Sequence, residues 1–105
     1  MILSTTFTLE GHPVQQYLGV VSAEIIIGAN AIRDFAANLR DFFGGRSGTY
    51  EEVFASAKET ALAELKQRAA AMGANAVVGI SVNYTTVGAS NSMLMVACTG
   101  TAVVI

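Results

Sequence analysis

The sequence predicts an α+β domain in which two helices pack on one face of an antiparallel β-sheet. Three observations lead to this class. The chain has 105 residues, the length of one domain, so residues 1–105 are expected to fold as a unit. Its two ends alternate or are rich in β-branched residues, whereas its middle repeats apolar residues every three or four positions. All six Lys and Arg residues lie in that middle, between Arg33 and Arg68.

Two strands are predicted ahead of the helices. Residues 3–9 are rich in Thr and partly alternate, which favours a strand. A turn is expected at residues 10–13. Gly11 can adopt backbone conformations that other residues avoid, and Pro13 restricts His12 to an extended conformation. The β-branched run over residues 14–27 then predicts a long strand with a bend at Gly19.

Two helices are predicted in the charged middle. Asn30 can cap a first helix whose apolar side chains share one face and which the Gly44-Gly45 pair ends. Those apolar side chains are Ile32, Phe35, Ala36, Leu39, Phe42 and Phe43. The second helix is expected to begin at Thr49, which forms a capping box with Glu52, and to end at Gly73.

Two further strands are predicted at residues 75–87 and 93–105, joined by a loop of small polar residues. Strict alternation places one group of side chains on one face and a second group on the other. The first group is Val78, Ile80, Val82 and Tyr84, and the second is Gly79, Ser81, Asn83 and Thr85. In the last strand Met93 and Met95 face away from Cys98. The order is therefore β-β-α-α-β-β.

Composition excludes several classes of function. A net charge of −2 excludes a general nucleic-acid binder, which needs a basic face. One Cys and one His exclude cysteine-cluster and multi-histidine metal sites within one chain. No apolar run reaches the roughly 20 residues that span a bilayer, and the first residues lack the features of a signal peptide. The sequence therefore predicts a cytoplasmic protein that binds neither membranes nor nucleic acid.

The distribution of charge predicts self-association. Residues 69–105 contain no charged side chain, where average composition would place about nine. A chain this small exposes a large share of its surface, and an uncharged sheet needs cover on both faces. We therefore expect another copy of the chain to cover part of it.

The segment Gly44, Gly45, Arg46, Ser47, Gly48 and Thr49 has features of an anion-binding loop. Its glycines can aim backbone N–H groups inward, Arg46 supplies a cation, and a long helix starts behind it. The alternative is a helix end, a turn and a helix cap with no ligand. If the loop binds phosphate, Arg46→Ala should weaken binding about tenfold by calorimetry. Unchanged affinity would remove this hypothesis.

No catalytic constellation is present, so the protein is not expected to be an enzyme. Cys98 lies mid-strand and far in sequence from His12, without an activating cation. The same two residues with Met93 and Met95 are the soft ligands available to a metal, but they do not converge within one chain, and no metal site is predicted. Glu24 lies inside an apolar strand and can face a central pore, pair with Arg46 or Arg33 of a neighbouring copy, or point to solvent.

The polar face of Ser81, Asn83 and Thr85 has two interpretations. With Thr99 or Thr101 it can line a pocket or channel, or it can be sealed against another subunit.

Several segments together resemble the YbjQ-like family of uncharacterised bacterial proteins, over essentially the whole chain. They are Leu9-Glu10-Gly11, Tyr17-Leu18-Gly19-Val20-Val21, Gly44-Gly45-Arg46-Ser47-Gly48 with Tyr50-Glu51, Gly73-Ala74-Asn75-Ala76-Val77-Val78-Gly79-Ile80, Ser92-Met93-Leu94-Met95-Val96 and Gly100-Thr101-Ala102-Val103. The resemblance implies a dodecin-subunit-like fold, assembly into a ring-shaped homo-oligomer, most often a pentamer, and the label "putative heavy-metal-binding domain". Family members often have acidic residues where this chain has Ser81 and Asn83.

The sequence thus predicts a small ring-forming protein with a binding or structural role and no catalytic activity. Two alternatives remain open: heavy-metal binding, and binding of an anionic small molecule at the Gly44–Thr49 loop. The sequence identifies no cofactor.

Overall fold

A computed structural model of the chain describes residues 1–28, 49–88 and 93–105. These residues contain four strands and one helix, which confirms the α+β class. The elements are β1 (Ile2–Leu3), β2 (Gln16–Ile27), α1 (Thr49–Ala71), β3 (Ala76–Val87) and β4 (Met93–Val104). The predicted first helix over residues 30–43, the loop before Thr49 and most of the β3–β4 loop lie outside the described residues.

The strands form one mixed sheet in the order β1-β3-β4-β2. β4 is central and runs antiparallel to both β2 and β3. β1 runs parallel to β3, so the prediction of a wholly antiparallel sheet is wrong at this strand. A parallel neighbour needs a long connection rather than a hairpin, and here most of the chain separates β1 from β3.

The first strand is also shorter than the predicted residues 3–9. Regular pairing covers only Ile2 and Leu3, because the polar side chains that follow form hydrogen bonds of their own. The Ser4 and Thr6 hydroxyls lie 2.6 Å apart, and the Thr6 hydroxyl donates to the Thr8 carbonyl at 2.7 Å. The segment still contacts β3, since the Ser4 carbonyl accepts from the Ile80 N–H at 3.0 Å.

Helix α1 packs on the sheet through a stripe of side chains spaced four residues apart. The buried members are Val53, Ala57, Ala61, Leu65 and Ala69. They meet the helix-side residues of β2 and β4, such as Val21, Ala23, Val96 and Cys98. The small alanines let the helix approach the sheet closely, and this contact is the main core of the described structure.

The end of α1 confirms the predicted stop at Gly73. Gly73 adopts a φ of 93°, a conformation that glycine reaches without steric cost. The Ala74 N–H donates to the Ala69 carbonyl at 3.1 Å, and the Gly73 N–H donates to the Ala70 carbonyl at 3.0 Å. This pair of bonds is a Schellman motif, which satisfies carbonyls that the helix leaves free.

A bulge in β3 changes which side chains share a face. The register against β4 shifts between Val78 and Ser81, and Gly79 has a φ of 63°. Ile80 therefore joins the core under α1, whereas Val78 packs on the other side of the sheet with Ala76 and Val103. The prediction that Val78 shares a face with Ile80 is wrong, because strict alternation does not detect an inserted residue.

The predicted bend in β2 is confirmed. The pairing with β4 shifts between Tyr17 and Gly19, and Gly19 has a φ of 126°. In the described part of the chain, no helix is both long enough and apolar enough to cross a membrane.

Candidate functional site

The candidate site is the face of the sheet that points away from α1, called the open face below. Alternation along the three long strands assigns its members. They are Val20, Ser22, Glu24 and Ile26 of β2, Ser81, Asn83, Thr85 and Val87 of β3, and Met93, Met95, Ala97, Thr99 and Thr101 of β4. One end of this side of the sheet is covered by Leu9 and Val14, which pack on Ala76, Val78 and Val103.

The strand register brings polar side chains together at the centre of the open face. Ala97 of β4 pairs with Glu24 of β2 on one side and with Asn83 of β3 on the other. Neighbouring strands lie about 4.8 Å apart, so the carboxylate and the amide flank a small methyl group across two strand spacings. Glu24 and Asn83 are exposed, and the Asn83 amide donates to the Ser81 hydroxyl at 3.4 Å.

A second polar row lies beside the first. Thr99 pairs with Ser22 of β2 and with Ser81 of β3. The predicted polar face is therefore confirmed for Ser81, Asn83, Thr85 and Thr99, and the register adds Ser22 and Glu24, which sequence reasoning did not assign to it. These groups donate and accept hydrogen bonds, but no nucleophile is paired with a base on the described part of this face.

Apolar side chains border the polar centre. On β2, Val20 is 78% exposed and Ile26 is 60% exposed. Ile26 pairs with Met95, which is half-buried. Large apolar groups with this exposure are unfavourable in water, so the margins of the open face favour contact with another apolar surface.

The soft metal ligands of the chain lie in separate places. Met93 and Met95 are on the open face, Cys98 is buried on the α1 side, and His12 is exposed in a turn, where its backbone N–H donates to the Leu9 carbonyl at 3.0 Å. Within residues 1–28, 49–88 and 93–105 no three His, Cys, Asp or Glu side chains are grouped to hold a metal. The described donor set of one copy therefore does not fit a heavy-metal site.

Burial also makes Cys98 a poor ligand and nucleophile. Its sulfur lies 3.5 Å from the Ala61 carbonyl oxygen and 3.6 Å from the Ala23 carbonyl oxygen, so the S–H has acceptors on the helix and on β2. Desolvation raises the pKa of the Cys98 thiol above its ordinary value, and the Ala23 hydrogen bond and the Arg68 charge only partly oppose this. The thiolate that binds metals and attacks electrophiles is thus disfavoured.

The Cys98 thiol is expected to react slowly with a thiol reagent such as dithionitrobenzoate until the protein unfolds. The unfolded chain loses this proton near pH 9.0, while the folded chain keeps it to higher pH. The free energy of unfolding should therefore decrease as the pH rises above this value. Denaturant titrations at several pH values measure the effect, and Cys98→Ala should remove this contribution. Fast labelling of the native protein at pH 8 would contradict the account.

Residues 44–48 of the Gly44–Thr49 loop lie outside the described residues. Thr49 is the first residue of α1, which agrees with the predicted start of that helix. Anion binding at this loop stays a prediction.

A shallow pocket that sequence reasoning missed lies at the α1–β3 contact. Its volume is about 500 Å³, and it is lined by Phe54, Ala55, Lys58 and Tyr84. The Phe54 and Tyr84 rings meet edge to face at 5.5 Å. Both residues are apolar positions of their elements, so the sequence marks them as core side chains and gives no signal that they line a surface pocket.

Over the described residues, the chain is a small α+β protein in which one long helix covers one face of a four-stranded sheet, and the other face has exposed polar side chains at its centre. A model of the YbjQ family, whose description reads "Putative heavy-metal-binding", matches residues 1–105. The chain belongs to this family, which confirms the resemblance drawn from its sequence.

A solved structure supports the fold. The crystal structure of a protein of unknown function from Pediococcus pentosaceus, assigned to the DUF74 family, superposes with a TM-score of 0.60. The two sequences are 19% identical, and the match covers 100% of this chain and 97% of that one. At this identity the likeness concerns the fold alone.

Proposed function

We propose that this chain is the subunit of a cytoplasmic, ring-shaped homo-oligomer, a pentamer, with a binding or structural role and no catalytic activity. The observation that carries the proposal is the exposure of the open face: Val20 and Ile26 at its margins and Glu24, Asn83 and Thr99 at its centre are exposed in the described structure.

The chemistry of the exposed surface supports the same proposal. β3 and β4 contain no charged side chain, and β2 contains only Glu24. Tyr17, Val20 and Ile26 of β2 are exposed and apolar. Such a surface gains more from contact with a second apolar surface than from contact with water. The pentamer follows from the resemblance to the family.

The chemistry of the described side chains also favours binding over catalysis. The one thiol is buried and held in its neutral form, and the polar centre of the open face lacks a general base beside a nucleophile. The open face has hydroxyl, amide and carboxylate groups around the small Ala97. This is a surface that recognises polar groups by hydrogen bonds.

Native mass spectrometry tests the proposal, because it reports subunit number and bound mass together. We expect a species of five times the 10.9 kDa chain mass. Single chains at micromolar concentration would contradict the proposal. A thermal-shift screen against metabolites then identifies a ligand, since binding to the folded state raises its melting temperature.

Heavy-metal binding is the second candidate, and the family description is the observation that favours it. One copy does not assemble the ligands, but ring symmetry would multiply Met93 and Met95. Elemental analysis of protein purified without a histidine tag is the test. At least one metal equivalent per ring would support this function, and a smaller amount would contradict it.

A further inference from the structure

We propose that the pocket at the contact between α1 and β3 binds a small aromatic carboxylate. This pocket, called the α1–β3 pocket below, has a volume of about 500 Å³ and is lined by Phe54, Ala55, Lys58 and Tyr84. Ligand pockets typically measure about 300–1,000 Å³. A ligand here would occupy a site on the opposite side of the sheet from the open face, and its binding does not require the proposed ring.

The α1–β3 pocket forms where the helix leaves part of β3 uncovered. Helix α1 packs mainly on β2 and β4. On the α1 side of β3, Val82 still packs against the core, whereas Tyr84, two residues further on, is 45% exposed. Phe54 of α1 is only partly buried. These two aromatic side chains therefore lie at the rim of the core, with part of each exposed in the described structure.

The two aromatic rings give the pocket its shape. The planes of Phe54 and Tyr84 are 88° apart, and their centroids are 5.5 Å apart. The rings thus form two walls of a corner. A planar aromatic ligand can stack on one ring and present its edge to the other, and both arrangements are favourable for aromatic pairs. The small side chain of Ala55 leaves room beside them, so the body of the ligand is expected to be an aromatic ring.

Lys58 supplies the positive charge of the pocket lining. Its neighbours three and four residues away along the helix are all apolar: Phe54, Ala55, Ala61 and Leu62. Glu59 is adjacent in the chain and points about 100° around the helix from Lys58. Among the described residues, the ion pair joins Arg68 to Glu64, and no described carboxylate neutralises Lys58.

The polar groups of the lining determine the charge of the ligand. An ammonium group attracts an anion and repels an amine. A carboxylate accepts a charge-assisted hydrogen bond from Lys58, and the Tyr84 hydroxyl is a second donor in the lining. One cation balances one negative charge, so a monocarboxylate fits this pocket better than a doubly charged phosphate. The ligand class is therefore a planar aromatic ring that bears one carboxylate.

The first experiment titrates the native chain with 2-naphthoate at pH 7 and follows binding by ligand-observed NMR. We expect a Kd of about 1 mM or tighter, which is typical of a ligand of this size. The neutral naphthalene-2-carboxamide has the same shape without the charge, and it should bind about fivefold more weakly. If 2-naphthoate shows no binding at about 10 mM, the proposal is overturned.

The second experiment removes the positive charge. Lys58→Met keeps a long side chain, and it should weaken binding of 2-naphthoate about fivefold while the affinity for the carboxamide stays the same. Lys66→Met is the matched control, because Lys66 is an exposed lysine of the same helix, has no acid three or four residues away and does not line the pocket. It should change neither affinity. Circular dichroism with cooperative unfolding verifies that both variants are folded.

The third experiment tests the aromatic wall. Tyr84→Leu removes the ring from a partly exposed position and should weaken binding of both ligands about fivefold. Tyr84→Phe keeps the ring and should bind the carboxamide as the native chain does. The matched control is Tyr17→Leu, since Tyr17 is 71% exposed on β2 and lies outside the pocket lining.

The remaining outcomes would place the ligand elsewhere. Equal losses of 2-naphthoate affinity in Lys58→Met and Lys66→Met would indicate general attraction to the helix and would overturn the site. Unchanged affinity in folded Tyr84→Leu would do the same. Native mass spectrometry of these samples reports the subunit number separately, so failure of the proposed ring and failure of the pocket are distinct results.

Discussion

Leu65→Ala is expected to lower the free energy of unfolding by about 2–5 kcal/mol. Leu65 is among the largest fully buried side chains in the described structure and lies in the α1 stripe, between Ala61 and Ala69. Its neighbours on the stripe, Ala61 and Ala69, are small and cannot extend into the space that the missing atoms leave. Urea unfolding at one fixed protein concentration measures the loss, because assembly makes stability depend on concentration.

Leu62→Ala is the control for this prediction. It makes the same chemical change on the same helix, but Leu62 is only partly buried. Leu62→Ala should therefore lower the free energy of unfolding by clearly less than Leu65→Ala does. Equal losses at the two positions would contradict the assignment of the stripe, and so would a loss below about 1 kcal/mol at Leu65.

Gly100→Val is expected to lower the free energy of unfolding by about 3 kcal/mol through overpacking. Gly100 of β4 lies opposite the bulge in β3. A Cβ atom at this position would lie 2.7 Å from the Val77 Cγ1 atom and 3.2 Å from the Val78 carbonyl oxygen. The backbone oxygen cannot rotate away, so the bulged segment of β3 must move.

The matched control is Gly28→Val. A Cβ atom added at Gly28 would have no atom of the described residues within 4 Å apart from its chain neighbours, and the backbone there does not need the left-handed conformation. This change should leave stability nearly unchanged. A native-like melting temperature for Gly100→Val would contradict the close contact between β4 and the bulge.

Helix α1 and strand β4 were predictable because the residues that determine each element lie within that element. The stripe from Val53 to Ala69 follows helical spacing, and Gly73 marks the helix end by its backbone freedom. The placement of Met95 and Cys98 on opposite faces follows from alternation, and β4 contains no irregularity of its own.

The errors concern features that depend on distant residues. The parallel pairing of β1 depends on its contact with β3. Ile2 pairs with Ala76, which is distant from it in sequence. The bulge at Gly79 adjoins Phe7, whose ring atoms lie 3.1 and 3.2 Å from the position of a Gly79 Cβ. Nothing local to residues 76–87 indicates that contact, and so strict alternation was wrong for Val78.

The candidate site was predictable in part for the same reason. Ser81, Asn83 and Thr85 alternate within one strand, so the sequence groups them. Glu24 lies beside these residues only because it pairs with Ala97 of β4. The register between two strands cannot be read from the sequence of either strand alone. The sequence left three orientations open for Glu24; the structure places its side chain exposed on the open face.

Sedimentation velocity of the native chain over a range of micromolar concentrations tests whether other copies cover the uncharged face of this sheet. If they do, the measurement should show one species several times heavier than 10.9 kDa, with little single chain until strong dilution. A folded single copy that persists at every concentration would contradict this expectation.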